Sequence, residues 1–307
     1  MSAVSSAAAH VAAARIRRWV LGAFPRGQSG IDYDSPPGDP GLFGPDSVTW
    51  RIHADFPGML SGGLCALMLQ TLHPRALAGV WDHSNFRDDL VGRLRRTTAF
   101  VAGTTYAGRA EAERLIARVV AIHGKVRGTT ADGQRYSADD PGLLTWVHVT
   151  EAHGFLQGYR RYSPNALPDG AADRYYDEVR RVAEALGARA VPASEAQVRA
   201  YLEEMRGELR CDARSREVQS VLSRIRLPVP MAGPSRELFI GAARGLLPEW
   251  APDMLGLTPG QRLRARAAAR SLRAMSPLFR SALADGTAQR GCRRAGVPED
   301  VLYRWRS

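Results

Sequence analysis

Met59-Leu60-Ser61-Gly62-Gly63-Leu64-Cys65-Ala66-Leu67-Met68-Leu69-Gln70-Thr71-Leu72, followed by His73-Pro74, is the stretch on which the reading of the fold turns. It is nearly all apolar, so a helix here has no polar side to turn to water and is expected to be buried on most sides. It falls short of the ~20 apolar residues needed to span a bilayer. Pro74 stops or bends it, because proline lacks the amide that the next turn needs.

Working outward from this stretch, helical signals dominate. One helix is expected from about Asp88 to Phe100 and another from Arg109 to His123. In the second, Ile116, Val119, Val120, His123 and Val126 recur at helical spacing, which turns His123 towards the interior. Asp140-Pro141 is an N-cap followed by proline at the first helical position, and it opens a helix from Gly142 to Tyr162 that carries Trp146, His148 and His153. Asp169 to Leu186 reads as a helix. Ser194-Glu195-Ala196-Gln197 is a capping box opening a run to Arg210. Thr258-Pro259-Gly260-Gln261 opens another run to about Met275. Asp132-Gly133, central to Val126–Tyr136, is a two-residue hairpin signal and the one place where strands are expected.

Residues 1–24 read as a mobile or peripheral amphipathic helix. The stretch from Gln28 to Asp46 reads as a Pro/Gly-rich connector, and Leu227-Pro228-Val229-Pro230 as a connector too short to separate domains. The expected fold is mainly α: an N-terminal helix and connector over 1–44, then one globular helical domain over 45–307 with a single small β-hairpin.

The chain has 307 residues, 45% of them apolar, enough for a sizeable core. Its formal net charge of +11 is almost wholly arginine, since Lys125 is the only lysine. The arginines are interleaved with acids along many segments rather than gathered into one basic face, so nucleic acid is not an expected partner. Cys65, Cys211 and Cys292 are odd in number and form no C-x-x-C, which argues against a disulfide framework or a cysteine zinc site and fits a reducing cytoplasm. The order of charges and apolar residues at the N-terminus does not suit a secretory signal, and no stable membrane insertion is expected.

Hydrolase elbows, phosphate-binding loops and dinucleotide fingerprints are missing from the sequence. It has no E-x-x-H, the repeated unit of a di-iron carboxylate bundle. What remains is a set of interior histidines on successive helices. Haem needs one axial histidine, an apolar slot and cations for two propionates. His123, the apolar helices and the pair Arg93/Arg96 can supply them. Other readings stay open on spacing alone. His123 can be a core histidine bonded to a backbone carbonyl, and Arg93 with Thr97 a salt-bridging arginine and a hydroxyl bonding its own helix. Trp81, Trp146 and Phe155 fit a core better than cofactor walls.

Leu69-Gln70-Thr71-Leu72-His73-Pro74 with Gly79-Val80-Trp81-Asp82-His83-Ser84-Asn85-Phe86 resembles the opening signature of the MpaB-type oxygenase / DUF2236 family, which is related to the latex-clearing haem oxygenases. Arg93-Leu94-Arg95-Arg96-Thr97, Ile122-His123-Gly124-Lys125-Val126-Arg127-Gly128, Tyr136–Pro141 with Leu144-Thr145-Trp146-Val147-His148, and Gly245-Leu246-Leu247-Pro248 resemble later blocks in the same order. The resemblance implies a globin-like helical core, haem b as cofactor and His123 as its axial iron ligand. It places Arg93 and Thr97 near the haem, with His148 and His83 as further pocket residues of unassigned role. Some rubber-cleaving relatives carry an iron-capping lysine where this chain has Arg96. A guanidinium stays protonated and is a poor ligand, so the distal side is expected to be open, water-bound or otherwise ligated. The implied activity is that of an oxygenase, oxidase or peroxygenase using O2 or peroxide on a small apolar or aromatic natural product. The alternative is a haem- or ligand-binding sensor or carrier without turnover.

Overall fold

Two helices crossing with almost no side chain between them organise the molecule. The computed structural model describes residues 3–23, 25, 29–225, 231–283 and 285–305. In chain order its helices are α1 (Ala3–Ala23), α2 (Val48–His53), α3 (Phe56–Gln70), α4 (Pro74–His83), α5 (Leu90–Tyr106), α6 (Arg109–His123) and α7 (Pro141–Tyr162). They continue as α8 (Ala171–Ala185), α9 (Glu195–Glu204), α10 (Ala213–Ser223), α11 (Ala232–Arg244), α12 (Ala251–Met254), α13 (Pro259–Ala282) and α14 (Thr287–Ala295). Strands β1 (Arg127–Thr129) and β2 (Arg135–Ser137) pair antiparallel with Gly128 opposite Tyr136. The mainly helical class and the small hairpin agree with the sequence. The connector expected over 227–230 lies outside the described residues.

The apolar helix α3 packs along α7. A Cβ on Gly62 would stand 2.4 Å from the carbonyl oxygen of Gly154, and one on Gly58 2.9 Å from the backbone carbon of Gly158. Four glycines, two per helix at one-turn spacing, therefore bring the backbones into contact. Helices α11 and α13 pack together and against α3, with α13 also touching α7, and α2 and α8 flank α7. One apolar cluster runs through these helices, from Trp19 and Leu69 to Trp146, Phe239 and Phe279.

The N-terminal helix is docked rather than peripheral. Trp19 is buried and its ring stacks on Phe239 at 5.6 Å, edge-on to Phe279. Arg95 of α5 donates from Nη2 to the Gly22 carbonyl at 2.9 Å, closing the C-terminal end of α1. The hairpin loop also differs from the expected two-residue turn. Thr130 N–H donates to Gln134 at 2.8 Å and Gly133 N–H to Thr130 at 3.0 Å, with Gly133 at φ +85°. This is a turn of type I geometry followed by a left-handed glycine, a three-residue loop.

The six-residue α2 is too short to hold itself. Its N-terminal amides are held by Glu178 of α8, whose carboxylate accepts from Val48 N–H at 3.2 Å and from both Thr49 N–H and Thr49 Oγ1 at 2.8 Å. A negative charge at a helix N-terminus also opposes the helix dipole favourably. On the other side Trp50 Nε1 donates to the Thr105 carbonyl at 2.9 Å, and Tyr106 Oη to the Trp50 carbonyl at 2.7 Å. These bonds fix α2 between α8 and the end of α5, which positions its last residue, His53.

Candidate active site

Helices α5 and α6 form a hairpin joined by Ala107 and Gly108, and Gly103 of the one packs against Leu115 of the other. Counting about 1.5 Å per residue back from that connection, Arg93 and His123 each lie about 20 Å along their own helices. Burial differs along the hairpin. Leu115, Ile116, Thr105 and Tyr106 are buried near the connection. At the open end Arg96, Thr97 and Thr98 are exposed, as are Val120 (42%) and Ile122 (51%). The apolar stripe that was expected to face inward thus leaves the core before Val120. The core side of α6 is covered only over the half that α5 overlies.

His123 itself is half-buried. Among the described residues neither ring nitrogen has a hydrogen-bond partner, and Nδ1 is out of contact with solvent. Burial lowers its pKa, which Asp139 partly offsets, so the ring is neutral at pH 7 with a free nitrogen lone pair. Arg93 is half-buried and makes no hydrogen bond or ion pair with any described residue. Burial works against its charge, and Arg96 adds repulsion. Arg96 turns out to solvent and pairs with Asp89 at 3.4 Å. Thr97 lies one turn from Arg93 on the same helix but is exposed. His83, at the end of α4, is exposed too. It meets the Arg127 carbonyl at 3.2 Å and lies edge-on to Tyr136 at 6.2 Å, so it belongs to the β-hairpin contact and not to a pocket.

His148 lies elsewhere, with partners that the sequence did not single out. A cavity of about 50 Å³ sits between α2, α5, α7 and α8. Phe100, Val101 and Thr104 of α5 line it, and at spacings of three and four they continue the face that carries Arg93 and Thr97. Its polar end holds His53, His148, Glu151 and Tyr175. His53 bridges two helices: Nδ1 lies 2.9 Å from Thr105 Oγ1 and Nε2 2.9 Å from Tyr175 Oη. Burial pulls the pKa of His53 down to about 3 and that of His148 to about 4. It pushes the Glu151 carboxyl up to about 7, against a hydrogen bond from Gln70. Between about pH 4 and 7 this end of the cavity carries no net charge. These groups are enclosed by protein yet keep part of their surface on the void.

His153, half-buried on the next turn of α7, is also depressed to about 4. Each of the three histidines sits below its ordinary value of 6.5, so the stabilisation from burying the neutral ring is complete above that pH and is lost as pH falls towards 4. Glu151 runs the other way: its contribution is complete below its ordinary 4.5 and is lost as pH rises through 7. The melting temperature is therefore expected to be highest near pH 6–7 and to fall by about 5 °C or more by pH 4.5. His148→Gln should blunt that fall. Parallel melting curves for the variant and the parent across this range would show that His148 is not buried neutral.

Among the described residues, no three His, Cys, Asp or Glu side chains are grouped to hold a metal ion. None of the described helices is long and apolar enough to cross a membrane. Comparison with known families gives the class of the protein. Residues 50–278 match the family described as ER-bound oxygenase mpaB/B'/Rubber oxygenase, catalytic domain. The chain belongs to this family and is an oxygenase. No curated protein and no solved structure matches it.

Proposed function

We propose that the protein is a haem b-dependent oxygenase that holds one non-covalent haem through His123 and oxidises a small, largely apolar or aromatic molecule with O2 or peroxide. The observation that carries this reading is the bare imidazole of His123, with the unpaired guanidinium of Arg93 on the preceding helix. A buried polar nitrogen without a partner is uncommon, and one next to uncovered apolar surface fits a ligand better than a core role. The donor set points the same way. With no three-ligand cluster among the described residues, a metal that brings its own equatorial ligands fits where a bare ion does not.

The residues present fit haem. His123 is neutral and can offer one nitrogen to iron. Arg93 has no counter-ion and can take an anionic propionate through charge-assisted hydrogen bonds. Val120 and Ile122 offer exposed apolar surface beside it. Thr97 can donate its hydroxyl at the solvent edge. Arg96 stays protonated and paired with Asp89, so it does not cap the iron. Bound there, a haem supplies a redox-active iron for oxygen or peroxide chemistry. The lack of C-x-x-C-H argues against a c-type covalent attachment. The cysteines are unpaired, which supports a reducing, cytoplasmic setting.

Protein purified from haem-supplemented cells should show a Soret band that His123→Ala abolishes or strongly weakens. Arg93→Ala should lower haem occupancy several-fold while leaving the melting temperature of the haem-free chain within about 2 °C, since Arg93 makes no bond that folding needs. A colourless, iron-free protein would overturn the cofactor assignment. Full haem content in Arg93→Ala would remove Arg93 from the site.

A further inference from the structure

The cavity between α2, α5, α7 and α8 is set apart from the His123 end by its chemistry. Its walls are apolar, with Phe100, Val101, Phe155 and Val179 among them. Only one end is polar. There His53 is already satisfied by Thr105 and Tyr175, whereas His148 makes no hydrogen bond to any described residue. Glu151, one turn further along α7, has the Gln70 amide nearby, whose Nε2 donates to the Val147 carbonyl at 3.4 Å and to Thr150 Oγ1 at 3.1 Å. No charged side chain acts on either: burial alone depresses His148, and burial raises Glu151 against the Gln70 hydrogen bond. The cavity thus ends in a carboxylic acid that can donate, an imidazole that can donate or accept, and no ion to receive a charge.

We propose that this cavity binds an uncharged, mostly apolar organic molecule carrying one hydroxyl or carbonyl group, docked on Glu151 and His148. A carboxylate or ammonium brought here would lose its water with no counter-ion to replace it, which costs far more than a neutral hydroxyl. A pure hydrocarbon would fill the walls but leave His148 and Glu151 unpaired. A ligand with one polar group at an end satisfies both. The face shared by Arg93, Thr97, Phe100, Val101 and Thr104 leads from the proposed haem end into the cavity, so the molecule lies where a substrate would wait. That last step rests on the oxygenase reading with haem at His123; the binding preference does not.

The test uses three molecules of one shape: naphthol, naphthalene and naphthoate. Their affinities are measured by calorimetry at pH 6.5 on the full chain, with haem content determined on the same samples. Naphthol should bind about tenfold more tightly than naphthalene, the value of one good hydrogen bond, and naphthoate at least about a hundredfold more weakly than naphthol. Glu151→Leu should abolish the preference for naphthol over naphthalene, while Glu151→Gln, which keeps a donor, should retain most of it. Val182→Phe, at the half-buried edge of the cavity, should weaken both neutral ligands. Melting curves confirm that each variant is folded. Naphthoate binding as tightly as naphthol would overturn the proposal. So would a preference that survives in folded Glu151→Leu, or no binding of naphthol at all. His123→Ala should lose haem yet keep the naphthol preference; if the parent proves haem-free and the preference is intact, only the cofactor reading fails.

Discussion

Gly154→Ala should lower the stability of the fold by about 3 kcal/mol or more, and Gly154→Val should leave no cooperative thermal transition. A Cβ at Gly154 would sit 2.3 Å from the carbonyl oxygen of Gly62 and 3.0 Å from its carbonyl carbon. Both are backbone atoms in the middle of a buried helix, so no side chain can swing aside. The helices must separate, and every contact between α3 and α7 loosens with them. Valine adds two methyl groups to the same clash. The neighbouring pair behaves alike, with a Cβ on Gly158 standing 2.2 Å from the Gly58 oxygen. Gly260→Ala is the control. The nearest atom there is Thr258 Oγ1 at 4.0 Å, so the extra methyl is accommodated in the first turn of α13 and stability should stay level or rise slightly. Urea unfolding of the three variants checks this. A cost for Gly154→Ala below about 1 kcal/mol would mean that α3 and α7 do not meet backbone to backbone.

Arg280→Met should cost about 3–5 kcal/mol, because it strips the partner from a buried carboxylate. Asp55 is 5% exposed. It caps the N-terminus of α3 by accepting from Gly58 N–H at 3.0 Å and receives Nε of Arg280 at 2.7 Å. Arg280 also donates to the carbonyl of Tyr162, the last residue of α7. One guanidinium therefore joins the starts and ends of three helices. Burial pushes the Asp55 carboxyl up and Arg280 pulls it back. Without the arginine, only the Gly58 N–H still opposes the upward push. A carboxyl raised in the folded state stabilises below its ordinary pKa of 3.8 and loses that contribution as pH rises. The deficit of Arg280→Met relative to the parent should therefore be smaller at pH 4 than at pH 7. A deficit that does not change with pH would place the loss in packing instead. Arg180→Ala, which removes exposed pairs to Asp177 and Glu184 on one helix, should cost less than about 1 kcal/mol.

How much of this was readable in the chain depends on the range of the forces involved. The capping signals at two helix starts were read correctly. Asp140-Pro141 caps α7 through Gly142 and Leu143 amides, and Thr258 with Gln261 closes a reciprocal box at the start of α13. The limits Arg109 and His123 of α6 coincide with those expected from sequence. Helix α5 runs past the expected Phe100 to Tyr106 through Gly103, Thr104 and Thr105, which are poor helix formers. Tertiary contact outweighs propensity there, since Trp50 bonds the Thr105 carbonyl and Gly103 makes room for Leu115. Helix α13 likewise continues through Pro277 to Ala282, where Arg280 is tied to Asp55.

The site divides along the same line. The block order of the sequence was enough to assign the family and to single out Arg93, Thr97, His123 and His148, because those residues sit in contiguous words. It did not show that Thr97 and His83 are exposed, or that Val120 leaves the core, since a helical stripe says which residues share a face and not what covers it. His53 carried no signal at all: its partners Thr105 and Tyr175 lie 52 and 122 positions away and meet it only because Glu178 and Trp50 pin α2 between α8 and α5. Glu151 was visible as a residue in the sequence but not as a neutral acid, because its ionisation is set by burial that α7 acquires only when packed. The glycines of α3 and α7 stand one turn apart in plain view. That they face each other was decided by the tertiary structure alone, where two helices separated by 70 residues of chain exchange backbone contact for side-chain volume.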